Sequence, residues 1–156
     1  GLAWLVQSWA LSREGKTEET LQAAEKAVEY SPREAVTQDN LGMILATLNR
    51  MDRAIVHFNE AVRLNPDEPV LYWNLGNTYG RLGQIAKAVS AIQRLVRMQP
   101  RNVNAHVYLG ELFLQQGGRD EAIGEYRAAL EIDPNNQKAR SALNTITQSE
   151  RSGRTQ

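Results

Sequence analysis

The chain has 156 residues, and its 18 basic and 18 acidic side chains leave no formal net charge. This balance argues against nucleic-acid binding, which favours a surplus of lysine and arginine. The chain has no cysteine and no apolar run long enough to span a bilayer. Its two histidines, His57 and His106, share no metal-ligand spacing. We therefore expect no nucleic-acid partner, no membrane insertion and no metal or other cofactor.

Four of the five prolines recur at a constant interval of 34 residues: Pro32, Pro66, Pro100 and Pro134. A fixed period of this length is typical of a solenoid that stacks one supersecondary unit. Residues suited to a left-handed helix end recur in the same phase, at Gly15, Asn49, Gly83 and Gly117. Small residues recur as well, with Ala54, Ala88 and Ala122 in one phase and Ala27, Ala61 and Ala129 in another. They allow two helices to approach closely, so each unit is predicted to be a helical hairpin.

Apolar residues recur at helical spacing within each unit. The first helix of each hairpin is predicted at residues 2–14, 35–48, 69–82 and 103–116, and the second at 18–30, 52–64, 86–98 and 120–132. A last helix at about 137–147 has one polar face, as the cap of a repeat array needs. The predicted divisions are four repeats, a capping helix and a disordered tail: 1–34, 35–68, 69–102, 103–136, 137–148 and 149–156.

The recurring positions resemble the tetratricopeptide repeat family. The fourth unit carries the likeness at Leu109, Gly110, Phe113, Ala122, Tyr126, Ala129 and Pro134. The first unit departs from the pattern, because Gln7 and Ser8 replace its Leu-Gly pair. The resemblance implies an all-α fold, a right-handed α-solenoid of antiparallel helix pairs. It also implies that the first helices line a concave groove in which a peptide or partner protein docks.

The groove is expected to use the face of the first helices that lies beside their core stripe. A carboxamide there can donate to and accept from a peptide backbone, although ordinary solvated asparagines are the alternative. Trp73 follows Tyr72, which takes the core role, so Trp73 is expected to anchor a partner or else to pack on an adjacent repeat. The predicted partner-binding residues are Asp39, Asn40, Met43, Trp73, Asn74, Asn77, Arg81, Tyr108 and Glu111.

Some members of this family grip a terminal carboxylate with lysine and arginine in the groove. The matching positions here carry Leu5, Trp9, Val70 and Asn74, and only Asn40 agrees with that arrangement. The carboxylate-gripping mode is therefore not expected. A ligand of mixed polar and apolar character suits these residues better.

The leading interpretation is a protein-interaction scaffold without enzymatic activity. One alternative is a self-associating assembly scaffold, because the first helix is expected to expose an apolar patch at Leu2, Leu5, Val6 and Trp9. A second alternative is the regulatory arm of a larger enzyme or of a membrane-anchored bacterial secretion protein. The composition suits a bacterial source and does not choose between the cytoplasm and the periplasm.

Overall fold

The computed structural model describes the backbone of residues 1–153 and the side chains of residues 1–148. All regular secondary structure in this part of the chain is α-helical, as predicted. The helices are α1 (Leu2–Arg13), α2 (Thr17–Tyr30), α3 (Ala35–Thr47), α4 (Met51–Leu64), α5 (Pro69–Arg81), α6 (Ile85–Met98), α7 (Val103–Gln116), α8 (Arg119–Ile132) and α9 (Gln137–Gly153).

Helices α1 to α8 begin and end within one residue of their predicted limits. Helix α9 is longer than predicted, since it continues to Gly153. It therefore enters the segment 149–156 that was predicted to be disordered. The final part of that segment, 154–156, lies outside the described residues.

The helices form two compact units, Gly1–Gly83 and Gln84–Gln156. In the first unit, α1 packs on α2 and α3 packs on α4, and each hairpin also contacts the first helix that follows it. In the second unit, α7 packs on both α6 and α8, and α9 packs on α8. Neighbours in sequence are thus neighbours in space within each unit, as in stacked helical hairpins.

The four predicted left-handed helix ends are confirmed. Gly15, Asn49, Gly83 and Gly117 have φ angles of 73°, 59°, 71° and 82°. Asn49 adopts this conformation without being glycine, which agrees with the tolerance of asparagine for the left-handed region. Each of these residues ends the first helix of its repeat with a left-handed backbone conformation.

The hairpins are held together where small residues meet large ones. A β-carbon placed on Gly42 would lie 2.7 Å from the Phe58 ring, and one placed on Gly110 would lie 2.8 Å from the Tyr126 ring. The first hairpin has Ser8 and Ala24 at the equivalent positions, and both are fully buried. The smaller Ala24 leaves room for the Ser8 side chain, which explains how the irregular first repeat packs.

A second periodic contact joins each turn to the helix that follows it. The carbonyl oxygens of Pro32, Pro66, Pro100 and Pro134 each accept a hydrogen bond from the side chain six residues later. The donors are Gln38 (2.9 Å), Tyr72 (2.8 Å), His106 (3.0 Å) and Arg140. Four different residue types thus satisfy the same turn carbonyl, which otherwise would need another partner.

Both histidines take part in this turn structure. His106 is buried, with Nδ1 2.7 Å from Glu125 Oε2. His57 is half-buried, with Nδ1 2.8 Å from Gln38 Oε1. Because the Gln38 amide donates to Pro32, its oxygen is the acceptor and His57 Nδ1 carries the proton.

Candidate functional site

The first helices of three successive hairpins lie side by side in the unit Gly1–Gly83, since α3 contacts both α1 and α5. Each helix exposes an aliphatic side chain near its start, at positions that are 34 residues apart. The exposed fractions are 66% for Leu2, 42% for Val36 and 47% for Val70. We call Leu2, Val36 and Val70 the apolar row. Exposed Trp9 and Met43 extend this apolar surface along α1 and α3.

Asn40 was predicted to present its carboxamide to a ligand, but it is only 3% exposed. The indole Nε1 of Trp9 donates to Asn40 Oδ1 at 2.8 Å, and Asn40 Nδ2 donates to Ser8 Oγ at 3.0 Å. The carboxamide is therefore occupied inside the protein. The physical reason is that this helix position faces the preceding first helix, so Asn40 joins α3 to α1 and orients Trp9.

Asn74 repeats this link one hairpin later. Its Nδ2 donates to Asp39 Oδ1 at 2.8 Å, and both side chains are half-buried. Burial raises the pKa of Asp39, an effect that the Asn74 hydrogen bond opposes and nearby Glu68 reinforces. Two predicted site residues are thus brought together, but they bind each other rather than extending freely from the surface.

The other predicted residues of this unit are more accessible. Met43 and Arg81 are exposed, whereas Trp73 and Asn77 are half-buried. Asn77 makes no side-chain hydrogen bond within the described residues, so its carboxamide is available. Arg81 Nη1 lies 3.5 Å from the carbonyl oxygen of Ala46, a long and weak contact.

A pocket of about 370 Å³ opens between α1, α3 and the start of α2. Its apolar wall consists of Trp9, Met43, Ile44 and Leu48. Its exposed rim carries Ser12, Thr17 and Thr47, and its lining also includes the buried Thr20. We call this the Trp9 pocket. The sequence indicated Trp9 and Met43 as surface residues, but it did not predict the cavity between them.

Tyr108 and Glu111 belong to the other unit, on α7. Burial raises the pKa of Tyr108, and the charge of Glu111 adds to this rise. Both side chains are half-buried, and Glu111 pairs with Lys138 of α9 at 3.5 Å. They form a small polar cluster next to the last helix, and their predicted role in partner binding remains a prediction.

The patch predicted for self-association is only partly exposed. Leu2, Val6 and Trp9 are accessible, whereas Leu5 is 2% exposed and is corrected to a core residue. Within the described residues, no group of three or more potential ligands could hold a metal ion. No helix in the same part of the chain has both the length and the apolar character needed to cross a membrane.

Models of known protein families match much of the region that carries the 34-residue period. A family model described as "Tetratricopeptide repeat" matches residues 74–137, and one described as "TPR repeat" matches residues 42–83. Together they cover more than half of the chain. A search of curated proteins found no match.

Several solved structures are similar to this chain. A crystal structure of MamA aligns with a TM-score of 0.87 at 20% identity, covering 92% of this chain and 84% of that one. YrrB, described as a TPR protein with an unusual peptide-binding site, aligns at 0.77 and 22% identity, covering 92% and 82%. The first TPR of Spaghetti (RPAP3), bound to the HSP90 peptide SRMEEVD, aligns at 0.69 and 27% identity, covering 74% and 92%. With its 34-residue period and its stacked hairpins, the chain belongs to the tetratricopeptide repeat family.

Proposed function

We propose that this chain is a non-catalytic interaction module that docks a peptide or partner-protein segment on the face formed by α1, α3 and α5. The observation that carries the proposal is the apolar row, which three adjacent helices expose at equivalent positions. Exposed apolar surface of this kind marks interaction sites. In the same proposal the chain consists of four repeats, 1–34, 35–68, 69–102 and 103–136, followed by a capping helix at 137–148.

Two further observations support a binding role. The printed descriptions of YrrB and of the RPAP3 repeat both refer to peptide binding by proteins of the same fold. The side chains of this chain best suited to acid-base chemistry also have structural partners, since His57 bonds Gln38 and His106 bonds Glu125 and Pro100. These contacts explain both histidines without a catalytic role.

Selection from a library of random displayed peptides tests this function. The tightest peptide is then measured by calorimetry against the wild type, Val36→Glu and the control Val56→Glu. Val56 is a valine of α4 that is 65% exposed away from the first helices. We expect Val36→Glu to weaken binding about tenfold or more because it charges the centre of the apolar row. Failure to enrich any peptide, or equal weakening by both variants, contradicts the proposal.

Self-association is the second candidate function, and the exposure of Leu2, Val6 and Trp9 on α1 favours it. Leu2 belongs to the apolar row, and Val6 and Trp9 extend the same apolar surface along α1. A second copy of the chain and a foreign segment would therefore compete for one surface. The dependence of the molar mass on protein concentration distinguishes self-association from the docking of a foreign segment.

A further inference from the structure

The Trp9 pocket exists because two positions around it, one in the first repeat and one in the second, carry short side chains. Thr47 lines the pocket, whereas the equivalent residue of the next helix is Arg81, which extends to the carbonyl of Ala46. Thr17 lines the pocket on α2, whereas its equivalent on α4 is the buried Met51. Larger side chains therefore occupy the corresponding space between α3 and α5, whereas the space between α1 and α3 remains open.

The aromatic wall of the pocket is held in place before any ligand binds. Asn40 accepts from the Trp9 indole and donates to Ser8, so the ring is tied to a buried carboxamide. A side chain that is already ordered loses less conformational entropy on binding. Asn40 is thus a positioning residue for Trp9.

Two arginines lie beside the pocket on the first helices, and the first turn of α2 carries Glu18 and Glu19. Arg13 and Arg81 occupy the same repeat position as Thr47, on the helices at either side of it. Both are exposed, and neither pairs with a carboxylate within the described residues. Asp39, the acidic residue of this face, is already bound by Asn74. An acidic ligand would therefore meet complementary charge here.

The volume of the pocket limits its occupant. About 370 Å³ lies at the small end of the range for ligand sites, which is roughly 300–1,000 Å³. The apolar wall and hydroxyl rim suit a single bulky aliphatic or aromatic side chain. We propose that the Trp9 pocket receives such a side chain from a partner-protein segment whose flanking acidic residues meet Arg13 and Arg81. This inference rests on the proposed function and specifies the class of segment that is bound.

Thr47→Arg tests the pocket because it copies the residue found at the equivalent position of α5. The matched control is Thr147→Arg on α9, another exposed threonine whose hydroxyl bonds the carbonyl four residues earlier. For a peptide enriched from the random library, we expect Thr47→Arg to weaken binding about tenfold or more, and Thr147→Arg to leave it within about twofold. Circular dichroism checks that both variants fold.

Arg13→Glu tests the charge requirement, with the exposed Arg97→Glu on α6 as its control. We expect enriched peptides to combine a bulky apolar residue with Asp or Glu, and Arg13→Glu to weaken them several-fold more than Arg97→Glu does. In an NMR titration, the Trp9 indole resonance should shift, while Trp4, whose ring contacts Lys26 of α2, provides an internal reference.

The possible failures are distinguishable. If no peptide is enriched, or if Val36→Glu has no effect, the proposed function itself fails. If Val36→Glu weakens binding but Thr47→Arg does not, the function stands and the pocket assignment is overturned. Enriched peptides without acidic residues, or binding that leaves the Trp9 resonance unchanged, overturn the inference in the same way.

Discussion

At the scale of single residues, the asparagines of the first helices connect neighbouring hairpins. Asn40 bonds Trp9 and Ser8 of α1, and Asn74 bonds Asp39 of α3. A carboxamide suits this place because it donates and accepts at once. The consequence for function is indirect, since these bonds set the orientation of side chains that remain exposed to a ligand.

Asp39 gives a pH-dependent prediction at this scale. Its folded pKa is raised above the ordinary 3.8, mainly by burial, so the folded chain holds the proton more tightly than the unfolded chain. Its favourable contribution is therefore present below pH 3.8 and is lost as the pH rises through the folded value. Asp39→Asn keeps an oxygen acceptor for Asn74 and removes the charge. We expect a higher urea midpoint than that of the wild type at neutral pH, worth less than about 1 kcal/mol.

This advantage should shrink as the pH falls towards 3.8, because the wild-type carboxyl group then becomes neutral as well. Asp52→Asn serves as the control. Asp52 lies in the first turn of α4, where its negative charge interacts favourably with the helix dipole and stabilises the helix. The control variant is expected to lower the urea midpoint at neutral pH. An Asp39→Asn variant that is less stable than the wild type at neutral pH would show that the charge itself is required.

At the scale of helices, the contact between a small and a large residue determines how the two halves of a hairpin cross. Gly42 permits Phe58, Gly110 permits Tyr126, and Ser8 is permitted by Ala24. The first repeat therefore keeps the same packing with the sizes redistributed. The departure from the family pattern at Ser8 reflects this compensation, and Ser8 also supplies the acceptor for Asn40.

Two glycine substitutions test this account in opposite directions. Gly42→Ala should lower the free energy of unfolding by about 1–3 kcal/mol, because its β-carbon would lie 2.7 Å from the Phe58 ring. Gly124→Ala on α8 meets nothing within 4 Å and should raise it by about 0.5–1 kcal/mol through helix propensity. Chemical denaturation measures both changes.

A double-mutant cycle that combines Gly42→Ala with Phe58→Ala checks the cause. The added cost of the alanine at position 42 should disappear once the ring is removed. If the cost persists in the double variant, the contact with Phe58 does not explain it.

At the scale of the whole molecule, the exposed apolar residues of α1 lie on the proposed docking surface. In later repeats, Leu41 and Leu75 are buried at the position where the first helix packs on the preceding hairpin. The equivalent residue on α1 is Gln7, which is exposed. The exposed apolar residues of α1 instead include Leu2, which belongs to the apolar row, and Val6. Docking of a segment and self-association therefore depend on the same surface.

Light scattering across a concentration series tests self-association. The molar mass should rise above the 17.5 kDa of the single chain as the concentration increases. Val6→Glu should return it towards 17.5 kDa because it charges the exposed patch, while Val56→Glu should have no such effect. A wild-type mass that stays at 17.5 kDa at every concentration would remove the second candidate function.

The sequence by itself determined the helices, the boundaries of α1 to α8 and the left-handed helix ends, because these follow from local spacing and from the conformational preferences of single residues. It also identified the family. Only the tertiary structure showed that Asn40 and Leu5 are buried, that Asn74 binds Asp39 and that a pocket opens beside Trp9. Those features depend on which side chains meet across neighbouring helices. A repeat period specifies equivalent positions, but not the size and hydrogen-bonding capacity of the residues that face one another there.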